Sequence, residues 1–355
     1  MRLRLLSYLL LLCYSSAIQA LTLPNKHHDY TPLRRTVYQF PTQTWIESIA
    51  VRSNGDLLIT LVDRPEVYLV SPTGSYEPIL LHRFTGVTAL LGITEVAHDE
   101  FAIVAGNWSI PTFSSTPGTY SIWTATFPSV KSRTPVLRHV VHIAPANFLN
   151  GVATLDAERG VVLVGDAGAG EVYRVDIRSG AFKVVLGDDA TMGTYPVGST
   201  HSGINGLKVL GEYVYYTNTA RGLFARVKIN VHTGTAVGPY ETLATPGGMD
   251  DFAFAPSSLI PKSHNGGENG KEGWIAYATG HASNILIKIT PDGEWESVFG
   301  GVNSTILEGD TDCAFGRGKG DEGILYVVTD GGIAHPLPGG FVQGGEVIAL
   351  DVARL

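Results

Sequence analysis

Six times along this chain a turn-prone residue leads into a short run of alternating apolar residues. The runs are Glu66–Ser71, Thr119–Thr124, Glu171–Asp176, Leu223–Lys228, Asn284–Ile289 and Glu346–Asp351. The last apolar residues of these runs, Val70, Trp123, Val175, Val227, Ile289 and Leu350, lie 53, 52, 52, 62 and 61 residues apart. A repeat of that length built from strand phrases predicts a β-propeller, in which each repeat is one small sheet that buries its faces only against its neighbours.

The first repeat supplies the grammar. Glu47–Val51 reads as an inner strand, Asn54-Gly55 as a tight turn, and Asp56–Thr60, Val67–Val70 and Tyr76–His82 as the next three strands. Inner strands recur at Gly92–Val96, Gly151–Leu155, Gly206–Leu210, Asp251–Phe254 and Asp312–Phe315. The expected fold is all-β: six four-stranded antiparallel blades in a single domain over residues 35–355. The last blade runs out of chain after three strands, and Thr36–Phe40 is a spare strand near the start. Pairing the two closes the ring and removes a free sheet edge.

Ahead of the propeller, Met1–Arg4 is basic, Leu5–Leu12 is nearly all apolar and Ala17–Ala20 offers small residues for cleavage. This pattern predicts a signal peptide over residues 1–20, a secretory route and no membrane span, followed by a polar arm over 21–34. Loss of residues 1–20 removes two Arg and no acid, leaving 23 basic against 33 acidic side chains, a net charge of −10. Such a surface repels phosphate backbones and argues against a nucleic-acid partner. Cys13 leaves with the leader and Cys313 stays alone, so no internal disulfide forms. The sequons at Asn107 and Asn303 are candidate glycosylation sites. A glycan on Asn107 would crowd a lid, so either that sequon is unused or its loop turns outward. The oligomeric state is not legible.

Propeller topology places the loops after each second strand, and the connections between blades, on one face. The unusual segments collect there: 107–118 in blade two, 187–203 between blades three and four, and 330–344 in blade six. These aromatic and proline-rich loops predict an apolar pocket for small substrates, walled by Trp108, Phe113, Met192, Tyr195 and Phe341. The same rim carries His201, His281 and His335, whereas His98 and His264 fall on the other face. The alternative is that the loops plug the channel or form a dimer contact. Near the axis, Glu47, Asn150, Asn205, Asp250, Asp310 and Asp312 open the inner strands. They would either bind strand ends or converge on the channel mouth. No nucleophile elbow, Cys–His pair or zinc spacing is present, and Gly165–Gly170 precedes a strand rather than a helix.

The Glu47, Asn150, Asn205-Gly206 and Asp250 positions resemble the senescence marker protein/gluconolactonase family of six-bladed propellers, and more loosely the strictosidine synthase-like proteins. That resemblance implies a Ca²⁺-dependent lactonase with these four residues as ligands. The chain departs from the pattern at Glu47-Ser-Ile49, at Asp250-Asp251 and at Phe252–Phe254. Over its whole length, in organisation and loop character, it is similar to the fungal hetero-Diels–Alderases of tropolone–sesquiterpenoid biosynthesis. This second resemblance implies a pericyclase that needs no cofactor and joins a tropolone ortho-quinone methide to a humulene-type alkene. His201 would then act as acid, Asn150 and Asn205 would orient, and Glu47 would assist at the axis. A non-catalytic ligand-binding propeller is the third reading.

Overall fold

Period-two alternation folds the chain into six four-stranded antiparallel sheets in the computed structural model, which describes residues 33–196, 202–260, 273–318 and 320–355. The inner strands are Ile46–Val51, Ala89–Ala97, Leu149–Asp156, Ile204–Leu210, Phe252–Phe254 and Asp310–Phe315. Each touches the inner strands of the blades on either side, and the first touches the last, so the ring is closed. Burial falls outward across a blade. Second strands such as Leu57–Leu61 and Val161–Asp166 are buried throughout, while the outermost strand Val136–His142 is mostly exposed.

The sixth sheet is completed from the other end of the chain. Arg34–Gln39 pairs antiparallel with Glu346–Asp351, running from Arg34 opposite Leu350 to Gln39 opposite Glu346. The Arg34 guanidinium donates to Glu346 Oε2 at 2.6 Å, so an ion pair reinforces the seam. This is the closure expected from the spare strand at Thr36–Phe40.

The core lies between blades rather than within one centre. One apolar cluster joins Ile49 and Leu57 of blade one to Tyr326 and Val347 of blade six, and another joins Leu58 and Leu69 to Phe101 and Ile103 of blade two. Burying each such side chain is worth about 1.5–3 kcal/mol. Near the axis the inner strands come so close that side chains have no room. A Cβ on Gly151 would lie 2.3 Å from Asn205 O, and one on Gly206 would lie 2.2 Å from Asp251 Oδ1. The Asn-Gly pairs at 150–151 and 205–206 therefore have a packing reason beside any chemical one.

Among the described residues, helix is confined to three single turns, Ser257–Leu259, His281–Ser283 and Val352–Arg354, and none is long and apolar enough to cross a membrane. Cys313 is buried and free, its thiol donating to Tyr277 O at 3.3 Å.

Candidate functional site at the channel mouth

Five of the six inner strands slip register near their first residues. The slips fall between Ile46 and Ser48, Leu90 and Ile93, Leu149 and Val152, Ile204 and Leu207, and Asp310 and Asp312. A bulge leaves a residue out of the ladder and re-aims its side chain. The residues freed this way include Glu47, Leu91, Asn150 and Asn205, and all four line one cavity of about 660 Å³. Blade five begins its inner strand only at Phe252, and Asp250, just before it, joins the same wall. Strand alternation then brings in Trp45, Phe148 and Gly248, each two residues ahead of Glu47, Asn150 and Asp250.

The polar part of the cavity is a chain of hydrogen bonds across blades. Asn150 Nδ2 donates to Asn205 Oδ1 at 2.7 Å, and Asn205 Nδ2 donates to Asp250 Oδ1 at 2.5 Å and to Thr219 Oγ1 at 2.9 Å. Asp250 Oδ2 lies 3.5 Å from His281 Nδ1, and His281 Nε2 lies 3.1 Å from Asp330 Oδ2. Asp330 is itself fixed by the backbone, accepting from Gly332 N at 2.6 Å and Ala334 N at 2.9 Å. Trp45 Nε1 donates to Glu47 Oε2 at 2.7 Å.

Enclosure sets the protonation of these groups. Burial pushes the Glu47 carboxyl up to about 7, against the pull of the His281 charge and the Trp45 hydrogen bond. Burial also raises Asp250 well above the usual carboxylate range, with His281 opposing it. For His281 burial works against the charged ring, yet the hydrogen bond and charge of Asp330, with Asp250 and Asp310 behind it, lift it to about 10. His335 shifts the other way, lowered by its partial burial and by the neighbouring His281 charge. At neutral pH the mouth thus holds an imidazolium, a neutral imidazole and a carboxyl poised between its two forms.

Most of the rest of the lining is aromatic and aliphatic. Trp45 meets Trp108 at 5.5 Å between ring centres and Phe113 at 6.3 Å, and Trp108 meets Phe113 edge-on at 5.5 Å. Trp108 and Phe113 belong to the blade-two insertion, where Trp108–Ser109 and Ser114–Ser115 pair as a small hairpin over the mouth. Val62, Leu91 and Phe148 add to this apolar lining.

The expected rim residues divide into three groups. Trp108, Phe113, Tyr195, His281 and His335 line the cavity together with Glu47, Asn150, Asn205 and Asp250. Two expected wall residues stand elsewhere. Met192 is fully buried against Ile204 and Tyr216, because its N–H and that of Thr191 turn back onto Asp188 and fold the segment onto blade four. Phe341 sits 48% exposed in a turn bridged to Leu337, outside the cavity lining. His201 and His264 lie outside the described residues, as do residues 1–32. Asn303 is exposed, whereas the Asn107 side-chain oxygen accepts from Thr88 N at 3.1 Å. Sequence reasoning missed Trp45, Phe148 and Asp330. The first two carried a usable signal, an aromatic two residues before a polar axial residue. Asp330 had none, being 49 residues from the histidine it holds.

As ligands for Ca²⁺, Asn150, Asn205 and Asp250 are already committed to one another, and Glu47 accepts from Trp45. Both Asn205 amide hydrogens and its oxygen are engaged, one Asp250 oxygen accepts from Asn205, and the other faces His281. A hard cation asks for about six to eight free oxygens, and this arrangement does not fit one. Among the described residues no group of three or more His, Cys, Asp or Glu is spaced to hold a metal ion.

Comparison with known proteins gives two relatives that carry the description "putative hetero-Diels-Alderase". One, from Phoma sp., is 29% identical over 349 residues, covering 90% of this chain and 93% of the relative. The other, from Sarocladium schorii, is 30% identical over 323 residues, covering 82% and 77%. No family model matches the chain. Among solved structures, a luciferin-regenerating enzyme superposes with a TM-score of 0.59 at 15% identity, over 90% of this chain and 95% of that one. The calcium-binding protein regucalcin of Agrobacterium tumefaciens gives 0.55 at 17% identity, over 89% and 92%. These two likenesses are of fold.

Proposed function

The chain belongs to the hetero-Diels-Alderase family, and from that premise we propose that it joins a tropolone ortho-quinone methide to a humulene-type sesquiterpene alkene at the channel mouth. The observation that carries this reading is the mixed lining of the cavity. About 660 Å³ suits two small partners, and the lining combines Trp45, Trp108, Phe113 and Phe148 with Glu47, Asn150, Asn205 and Asp250. The aromatic rings suit an apolar terpene, and the polar groups suit a tropolone oxygen.

The first step forms the quinone methide from a hydroxymethyl tropolone. The C–O bond to the leaving hydroxyl breaks with its electron pair on oxygen, and the Glu47 carboxyl supplies the proton that makes it water. Glu47 fits because it lines the cavity and is poised near pH 7. The tropolone hydroxyl gives its own proton to the neutral His335 ring at the rim. The balance is one water lost and no net proton. The acid role expected of His201 is thus assigned to Glu47.

The second step needs no proton. The quinone methide's oxygen and exocyclic carbon add across the alkene, forming two σ bonds. Holding both partners in a reactive pose supplies several kcal/mol of the barrier, about 7–11 at the most efficient alignment. Asn150 uses one amide hydrogen on Asn205 and keeps the other for the substrate oxygen. A donor fixed in advance stabilises charge that grows on that oxygen. Asn205, with both hydrogens engaged, orients Asn150.

The test is to incubate the purified protein with a hydroxymethyl tropolone and a humulene alcohol and to follow the adduct by chiral chromatography. One enantiomer formed well above the uncatalysed rate is expected. Racemic adduct at the background rate would sink the proposal. Activity on lactones that vanishes on chelation and returns with a divalent ion would favour the lactonase instead.

A further inference from the structure

The blade-two insertion is a hairpin too short to hold itself. Its strands, Trp108–Ser109 and Ser114–Ser115, have two residues each, and a lone two-stranded ribbon is marginal in water. Near its tip Phe113 sits at a φ of +45°, a left-handed conformation that is costly for a bulky residue and persists only where its surroundings over-determine it. Contacts fix the hairpin at tip and base. The Thr112 hydroxyl lies 2.8 Å from those of Ser109 and Ser114 and ties the tip together. At the base, Asn107 N donates to Thr119 Oγ1 at 3.0 Å, and Thr116 N donates to Asn107 O at 2.8 Å. A tie from outside the insertion comes from Thr88, the residue just ahead of the inner strand Ala89–Ala97. Its hydroxyl accepts from Trp108 N at 3.0 Å and donates to Trp108 O at 2.9 Å, and its N–H donates to Asn107 Oδ1 at 3.1 Å. One side chain thus takes both main-chain groups of Trp108, as a neighbouring strand would.

We infer that Thr88 is a positioning residue for the apolar partner: it holds the hairpin so that Trp108 and Phe113 form, with Trp45, the subsite that receives an apolar terpene. The inference rests on the cycloaddition proposed above and adds what selects one of its two partners. Thr88 is exposed and is not among the residues lining the cavity, so it reaches a substrate only through the rings it places. Those rings have one fixed member. Trp45 is buried, its main-chain N–H donating to Asp63 Oδ1 at 2.8 Å and its indole N–H to Glu47 Oε2 at 2.7 Å. The hairpin carries Trp108 and Phe113 against it, with ring centres 5.5 and 6.3 Å away. The same indole therefore joins the apolar subsite to the acid that acts on the tropolone. A shifted hairpin moves the alkene and leaves Glu47, Asn150 and Asn205 in place, because those three stand on inner strands. Misplacing one of two reacting partners is enough to lose rate and facial selection.

The experiment compares the wild type with Thr88→Val, Thr88→Ser, Phe113→Ala and the Thr88→Val/Phe113→Ala double variant. Valine keeps the shape and loses the hydroxyl, and water replaces it at this exposed position, so the change acts on placement rather than on the fold. One readout needs no turnover: a humulene alcohol titrated against tryptophan fluorescence gives its Kd. The other takes KM for that alcohol and for a hydroxymethyl tropolone separately, with the enantiomeric ratio of the adduct. Thr88→Val should raise Kd and KM for the alcohol about tenfold and erode the enantiomeric ratio, with KM for the tropolone and the melting temperature unmoved. Thr88→Ser keeps the hydroxyl and should restore each value to within about twofold of the wild type. Phe113→Ala should weaken the alcohol about fivefold in the wild type and less than about twofold in Thr88→Val, because a ring already out of place has little left to lose. A Thr88→Val protein that binds the alcohol as the wild type does would overturn the inference. So would a wild type that shows no quenching by the alcohol, a loss shared equally by both partners, or a double variant whose losses multiply. Absence of adduct from every protein, with the alcohol affinities in the expected order, would remove the cycloaddition and keep the Thr88 subsite.

Discussion

Asp250 and Asp251 are neighbours in sequence and belong to different chemical layers of the same channel. Asp251 faces down the axis, where Lys208 Nζ donates to its Oδ1 at 2.6 Å. Asp312 in that layer accepts from Ser48 Oγ at 2.6 Å, from Ile49 N at 3.0 Å and from Cys313 N at 2.7 Å. Asp250 faces the mouth, where its partners are an amide and a histidine beside a wall of indole and phenyl rings. The deeper layer answers its acids with a lysine, a hydroxyl and backbone N–H groups. The mouth answers them with groups that exchange protons or leave room for a ligand. Burial alone does not mark a working carboxylate. The identity of what faces it does.

That contrast breaks first at Glu47. Glu47→Gln should lower kcat/KM by about 10²–10⁴-fold, the range for loss of a general acid. In the wild type the rate should fall as pH rises through about 7, because the acid form is the active one, and the variant's profile should be flat there. A variant within threefold of wild type at pH 6 would remove Glu47 from the chemistry. In the deeper layer, Lys208→Met should act on stability instead. It leaves Asp251 without its cation and should cost about 2 kcal/mol in urea unfolding, less than a fully buried pair because the lysine is partly solvated. Its kcat/KM should stay within about twofold, and a tenfold loss in a folded protein would mean that the layers are not separate.

Temperature scans across pH sharpen the same comparison. Glu47 and Asp312 are each raised to about 7 and His281 to about 10, so the folded protein holds protons that the unfolded chain releases earlier. The sign follows: stability from these groups is full below their unfolded values and is lost as pH rises, first toward 7 and then toward 10. The melting point should fall by about 3–6 °C between pH 5 and pH 9. A rise over that interval would contradict the assignment. The smallest effect is expected at the rim. Phe113 is 42% exposed, so Phe113→Ala should raise KM for the apolar partner about fivefold, roughly 1 kcal/mol of lost ring contact, with little change in melting point.

The ring, its six blades and its closure were legible because strand repetition survives any sequence drift that keeps alternation. The same phase carried Glu47, Asn150, Asn205 and Asp250 to one mouth. What alternation could not show was the interior of the irregular segments. Met192 reads as a rim residue until the Asp188 turn folds it inward, and Phe341 reads as a wall until its turn faces outward. The His281–Asp330 pair is beyond such reading for a related reason. Each residue sits in its own loop, on separate blades, and neither loop has a period to follow. Trp45 and Phe148 were within reach, since residues two apart on a strand share a face.

The seam between Arg34–Gln39 and Glu346–Asp351 sets a condition on biosynthesis. The ion pair across it joins residues 312 positions apart, so the earliest propeller strand to leave the ribosome must wait for the latest. Five sheets can assemble from contiguous sequence as they are made, but the sixth cannot, and the inner strands of the first and last blades stay unshielded until it forms. Contacts of such long range are slow to find. A chain interrupted anywhere before its final strand therefore carries an open seam, and it displays to chaperones and proteases the apolar faces that the finished ring conceals.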